Sequence, residues 1–352
     1  MLIGLNYPWM NYGWDFGVPP PGWRAESSWQ EEIAAQVPRW RELGIGVVRW
    51  FLLADGLALG APRPASGQVY GLDWRLEELP PLSAAFLDDF ECLLQCFSPE
   101  VQLLPVVLDF PVAFPGQARR ATEEIARIWR TEHTRPGLPH GTVKGGRADL
   151  FRNPGIARDF VHRALGPLLE RSRLYRRNIF AWEVINEPEW IVRGSRLGRP
   201  WHGLPEHVKV PAESMLEFCR SALNRIEDEG YRSTIGFTSA GMLAKWSDVL
   251  GGVPGYLPQH HHYPSKEEAL PPDARGMLLG EFSTSVPRDR ENAHARPWPE
   301  LAGDRQGLEH RLALASARGY EAAFPWSYRA RDAASGDWAA IADGLERYRS
   351  AP

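Results

Sequence analysis

Three glutamates fall within the stretch FAWEVINEPEW, Phe180 to Trp190: Glu183, Glu187 and Glu189. The apolar residues ahead of them have the composition of a buried strand, and Asn186-Glu187-Pro188 ends it. A further glutamate, Glu281, closes a second apolar run, MLLGEFS. A carboxylate at the end of a buried strand is partly desolvated, which favours its neutral form; a nearby cation does the reverse. Two carboxylates held in different environments across one cavity can divide a reaction between them. One stays protonated and donates to a leaving oxygen, while the other stays ionised and attacks carbon or activates water. That is the requirement for cleaving a glycosidic bond. Either glutamate alone would read as a strand-end residue paired with an arginine or a helix N-terminus.

Other residues compete for attention. The run QHHHYP, Gln259 to Pro264, invites a metal. Side chains alternate along a strand, so His260 and His262 share one face while His261 and Tyr263 share the other. No acidic residue at a familiar ligand spacing accompanies them and no H-E-x-x-H occurs. A metal-dependent hydrolase using the His260–His262 cluster is therefore an alternative, and the two-glutamate chemistry needs no metal or organic cofactor. Glu183 has the strand parity of Glu187 and lies ~13 Å deeper at the usual rise per residue. It is expected to be a buried partner for Arg49 or another inward cation, with Glu189 on the rim. Asn6, Tyr7, Trp9, Trp14 and Asp15 follow the first strand and are candidates to line subsites for substrate. The 15 tryptophans allow a Trp-rich core, but those in NYPWMNYGWDFG and GRPWHGLP sit beside turn residues, as stacking surfaces for flat apolar faces do.

The elements that must position these residues alternate. Strands are predicted at Leu2–Asn6, Val47–Phe51, Val101–Asp109, Ile179–Asn186, Thr234–Thr238, Leu257–Tyr263, Met277–Phe282 and Ala322–Trp326. Helical patterns lie between them at Ile33–Leu43, Ser83–Phe97, Ile156–Ser172, Ala212–Glu229 and Gly307–Ala317. Asn153-Pro154 and Pro211 supply start signals. Eight such units predict a (β/α)₈ TIM barrel, expected as a single domain over residues 1–352. An open doubly wound sheet lacks its Gly-rich phosphate turn after the first strand. Glu281 lies 94 residues after Glu187, the length of three barrel units at ~31 residues each. Strands two and three are followed by long Gly-, Pro- and Arg-rich segments, expected to wall the C-terminal mouth.

Bulk properties exclude several classes. A net charge of −4 with no basic run gives no footprint for nucleic acid. No stretch approaches the ~18 apolar residues that suggest a membrane span. The first ten residues, MLIGLNYPWM, lack a basic segment and an apolar signal core, so a cytoplasmic setting is expected. Cys92, Cys96 and Cys219 are odd in number, and the first two are expected to be core thiols rather than a bridge.

Trp182 to Pro188 in the pattern Trp-x-x-x-Asn-Glu-Pro, Glu281, His261 with Tyr263, Arg49 and Trp326 together resemble the signature of clan A glycoside hydrolases, closest to the family-five cellulase and mannanase-like group. The resemblance implies that Glu187 is the acid/base and Glu281 the nucleophile. It implies that Asn186 bonds the sugar 2-hydroxyl, Tyr263 donates to Glu281, Arg49 keeps Glu281 ionised and Trp326 floors the reacting sugar's subsite. The implied activity is retaining hydrolysis of β-linked gluco- or manno-type saccharides by double displacement, with an oligosaccharide or β-glycoside as substrate. A carbohydrate-binding pseudoenzyme is the alternative without turnover. The sequence departs from the family on strand three, where Phe110 and Pro111 follow Asp109 and the frequent histidine is missing.

Overall fold

Runs of Val, Ile, Leu and Phe that are apolar on both faces suit strands covered on both sides, and eight of them form the sheet. They are β1 (Leu2–Asn6), β2 (Ile45–Phe51), β3 (Gln102–Asp109), β4 (Trp182–Asn186), β5 (Ser233–Phe237), β6 (Tyr256–His262), β7 (Leu278–Ser283) and β8 (Ala322–Trp326). In this computed structural model they pair in parallel in chain order, and β1 pairs with β8 to close the barrel. The structure describes residues 1–10, 15–17, 29–54, 57–59, 79–113, 147–199, 206, 209–264, 268–284, 297–303, 305–328 and 338–351. The long segments after β2 and β3 lie largely outside them.

Helices lie between the strands, each started by local chemistry. Ser83 caps Ala84–Cys96 by accepting from the Phe86 amide, and Asn153 with Pro154 opens the helical run 154–172. The helical stretches named from the sequence do not include Ala240–Leu250 and Trp338–Ser350. The first is capped by Ser239 and buries Met242, Leu243, Trp246 and Leu250, a helical spacing that Gly241 obscures. Among the described residues no helix is long and apolar enough to cross a membrane.

The apolar side chains separate into two layers. Trp40, Trp50, Trp182, Trp246 and Trp298 are fully buried in the larger cluster, between sheet and helices. Many of the tryptophans thus hold the fold and are not stacking surfaces. The inner cluster fills the barrel with Val47, Phe51, Leu104, Val106, Leu257, Leu278, Ala322 and Phe324, and with Trp9 and Trp326 near its mouth. The cysteines are all free, but Cys92 is exposed and Cys96 half-buried, so only Cys219 is a core thiol. The helix turns its Phe86, Phe90, Leu93 and Leu94 face inward instead.

Two irregularities shape the mouth of the barrel. Between Glu183 and Asn186, β4 carries one more residue than β5 beside it. Between Leu279 and Phe282, β7 carries one more than β8, and it is also out of step with β6 at His260–His261. These are bulges, which turn side chains that simple alternation would point elsewhere.

Candidate active site

Arg49 is the centre of the construction. It rises from β2 into the barrel, fully buried. Its Nε and Nη2 donate to the two oxygens of Glu183 at 2.7 and 2.6 Å. Nη2 also reaches Asn186 Oδ1 at 2.8 Å, and Nη1 reaches Asn6 Oδ1 at 2.9 Å and Glu281 Oε1 at 2.6 Å. Burial opposes the charge, but Glu183 and Glu281 outweigh it and hold the guanidinium even more firmly protonated than usual. Glu183 also accepts from Gln259 Nε2 at 2.8 Å and is the buried Arg49 partner that its depth predicts. Such a fork-to-carboxylate pair fixes the orientation of the arginine as well as its charge.

Above this floor the two glutamates face one another. Glu281 accepts from Arg49 and from the Tyr263 hydroxyl at 3.1 Å. Glu187 leaves β4 with φ of 47°, the one positive φ outside glycine among the described residues, where the chain turns into Pro188–Trp190. Its Oε1 lies 2.7 Å from His261 Nδ1 and its Oε2 accepts from Trp190 Nε1 at 2.8 Å. His261 Nδ1 is 3.5 Å from Glu281 Oε2. One oxygen of each glutamate and a nitrogen of His261 all lie within 4.8 Å of one another.

The electrostatics follow from these contacts. Burial pushes Glu187 up, but the hydrogen bond and charge of His261 with the Trp190 bond bring it below the usual carboxylate range. Burial pushes Glu281 up and prevails over the charges of His261 and Arg49. Burial opposes a charge on His261, yet Glu281 and Glu187 outweigh it and raise the imidazole above its ordinary value. These contacts therefore favour the cationic form of His261 beside the anionic form of Glu187.

A third carboxylate joins them, one whose place in the site was not expected from the sequence. Asp109, at the end of β3, accepts from Asn186 Nδ2 at 3.0 Å and from the Phe110 amide at 2.9 Å. Burial drives it well above the carboxylate range, against the Asn186 bond and with help from Glu187 and Glu281. Asn186 is thus fixed by Arg49 on its oxygen and Asp109 on its nitrogen. Asp109 closes a strand as the two glutamates do, and that position was the available signal.

The same architecture is found in solved structures. No protein-family model matches the chain and no curated protein matches it in sequence. The β-1,4-D-mannanase from Cryptopygus antarcticus superposes with a TM-score of 0.67 at 16% identity, over 99% of this chain and 90% of that one. The endo-1,4-β-mannanase from Eisenia fetida gives 0.65 at 18%, over 99% and 91%. A glutamate-to-alanine variant of GH5_18 from Streptomyces cattleya, in complex with Manb1-4GlcNAc, gives 0.56 at 15%, over 100% and 81%. The chain has the fold of the β-mannanases.

Within this mannanase-type barrel several sequence expectations move. Asn6 is fully buried, and its amide donates to the Gly280 and Phe324 carbonyls at 3.0 and 3.1 Å. It braces the floor from β1 and lines no subsite. Tyr7 points outward, stacking on Trp50 and donating to Glu32. Asp15 accepts from the Met10 amide. Glu189 is not on the rim: it is fully buried, because Thr238 at the end of β5 captures it through both amide and hydroxyl at 2.6 Å. Trp9 meets Trp326 edge-on at 6.4 Å and Phe51 at 5.6 Å, while Trp14 lies outside the described residues.

The histidines do not converge on a metal. His260 bonds the Tyr320 hydroxyl at 2.6 Å and His262 stands edge-on to Trp298, both outside the barrel, while His261 faces inward. Among the described residues the one group with ligand-like spacing is Glu187, His261 and Glu281. Arg49 already places a fixed cation 2.6 Å from Glu281, so a metal ion there would face direct repulsion.

Proposed function

We propose that the chain is a retaining glycoside hydrolase that cleaves β-linked gluco- or manno-type saccharides by double displacement. The observation that carries this reading is the approach of Glu187 and Glu281 to within 4.8 Å, oxygen to oxygen, at the C-terminal mouth of a closed barrel. Retaining pairs stand ~5–5.5 Å apart, whereas inverting pairs leave ~6.5–9.5 Å for a water. The solved relatives named as mannanases, and the Manb1-4GlcNAc complex among them, support a manno-type glycone.

In the first step Glu281 attacks the anomeric carbon. Arg49 and Tyr263 stabilise its anionic form and orient it. As the glycosidic C–O bond breaks, Glu187 passes a proton to the leaving oxygen. That proton reaches Glu187 from His261 across the 2.7 Å contact before the transfer, which reconciles a low-lying Glu187 with an acid's task and leaves Glu187 ionised for the second step; the proton later taken from water returns to His261. A glycosyl ester on Glu281 results. In the second step Glu187 takes a proton from water, the water oxygen bonds the anomeric carbon, and Glu281 departs. Asn186, held from both sides, presents its amide to the 2-hydroxyl, and Trp326 lies beneath the sugar.

Replacing Glu187 by Gln is expected to lower turnover by about 10²–10⁴-fold on a substrate with a poor leaving group, and far less on an activated aryl glycoside. Product analysis over a panel of β-linked manno- and gluco-oligosaccharides measures this. Full turnover by the variant on the poor-leaving-group substrates would remove the acid/base assignment. Labelling of Glu281 by a mechanism-based fluorosugar tests the nucleophile independently.

A further inference from the structure

Both oxygens of Glu187 are held, and by unlike partners. Oε1 meets His261, fully buried inside the barrel; Oε2 meets the indole N–H of Trp190, half-buried on the rim side. Trp190 belongs to the same short turn as Glu187 and is itself held from behind. The Arg199 guanidinium lies 5.0 Å from its ring centroid. Arg199 donates to Thr238 Oγ1 at 2.6 Å, and its amide donates to the Glu189 carbonyl at 2.8 Å. Thr238 in turn fastens Glu189. Thus β5, the Glu189 turn and Arg199 together fix where one N–H points, and it points at Glu187.

A glycosidic oxygen must approach Glu187 from the open side, since the buried side belongs to His261. From this geometry we infer that Trp190 is a positioning residue for Glu187 on its leaving-group side: its N–H fixes the carboxylate rotamer and stabilises the anion that acts as base in the second step. This rests on the acid/base role proposed for Glu187. A donor to an ionised carboxylate favours that form, so removing it must raise the Glu187 pKa. The other groups facing Glu187 are His261 from β6, Glu281 from β7, Arg49 from β2, Asp109 from β3 and Glu189 on its own turn. All of them remain when Trp190 becomes Phe, and no charge is removed.

Two experiments test this. In protein labelled with ¹⁵N at the indoles, one of the 15 signals is expected to move with pH as Glu187 titrates. It should stop moving in Glu187→Gln and vanish in Trp190→Phe. This needs no turnover, so it tests the contact even if the glycosidase reading fails. No indole responding to Glu187→Gln would overturn the proposal. In the pH profile of kcat/KM, Trp190→Phe should move the alkaline limb upward by about 0.5–1 pH unit, since the acid stays protonated to higher pH. Lost packing alone would lower the whole profile without displacing it. A folded Trp190→Phe whose alkaline limb is unmoved would overturn the inference while leaving Glu187 and Glu281 in their roles. If Glu187→Gln keeps full turnover, the acid/base reading and this inference fall together, whatever the indole signal shows.

Discussion

Glu189 shows how much one buried carboxylate can report. Burial, reinforced by the charge of Glu187, raises its pKa to about 7, against the bonds from Thr238. A group whose folded pKa exceeds its unfolded value contributes stability that is complete below the unfolded pKa and is lost as pH rises through the folded one. Glu189 therefore costs the protein stability between about pH 4.5 and 7 as it ionises. Glu189→Gln lacks that titration. Its stability relative to the parent is expected to rise over this window by on the order of 2–3 kcal/mol, read from urea unfolding at pH 5 and pH 8. A constant difference would show that Glu189 is not buried as an acid. At this scale the sequence is legible where a carboxylate closes an apolar strand, as Glu187 and Glu281 do. It is not legible where a side chain is recruited across the fold. Pro188 suggests an exit to solvent, yet Thr238, on another strand, draws Glu189 inside. The bond from Trp190 to Glu187 is equally silent in the sequence, because nothing in Trp-plus-three spacing on a turn fixes a donor's direction.

The strands were legible as elements and only partly as faces. Alternation places Glu183 and Glu187 on one side of β4. In the structure, Glu183 and Asn186 both reach Arg49, while Val184 and Ile185 both pack in the outer core. The extra residue in β4 accounts for this. The bulge in β7 likewise brings Gly280 and Glu281 inward in succession. A glycine inside a strand run is the one sequence sign of such a place. Gly280 has a reason beyond the bulge. A Cβ there would stand 2.5 Å from Gln259 Nε2 and 2.8 Å from its Cδ, a side chain committed to Glu183. Gly280→Ala is expected to destabilise by about 1–3 kcal/mol, typical of overpacking, and to depress kcat as Glu281 shifts. Gly252→Ala, where a Cβ meets nothing within 4 Å, is the control. Thermal unfolding and kinetics of the pair decide it; equal behaviour would mean that the bulge tolerates a side chain.

For the whole molecule, eight alternating strand and helix signals sufficed to read a closed barrel. The segments after β2 and β3 could be recognised as long, but no periodicity specified their shape. Fold and site are also less separable than a scaffold with grafted loops. Arg49 on β2 binds residues of β1, β4 and β7, so its charge is satisfied only when strands from opposite sides of the ring have met. A chain cut between β4 and β5 would separate Arg49, Asn186 and Glu187 from His261, Tyr263 and Glu281. Each half should be inert on any glycoside: the first keeps Arg49 on Glu183 but lacks Glu281, and the second leaves Glu281 without Arg49. Mixing the two should restore turnover in step with the tryptophan fluorescence change that marks their association. Activity from either half alone would refute the dependence. In such a molecule complementation is all or nothing, and the buried groups around Arg49 double as the latch by which two half-barrels recognise one another.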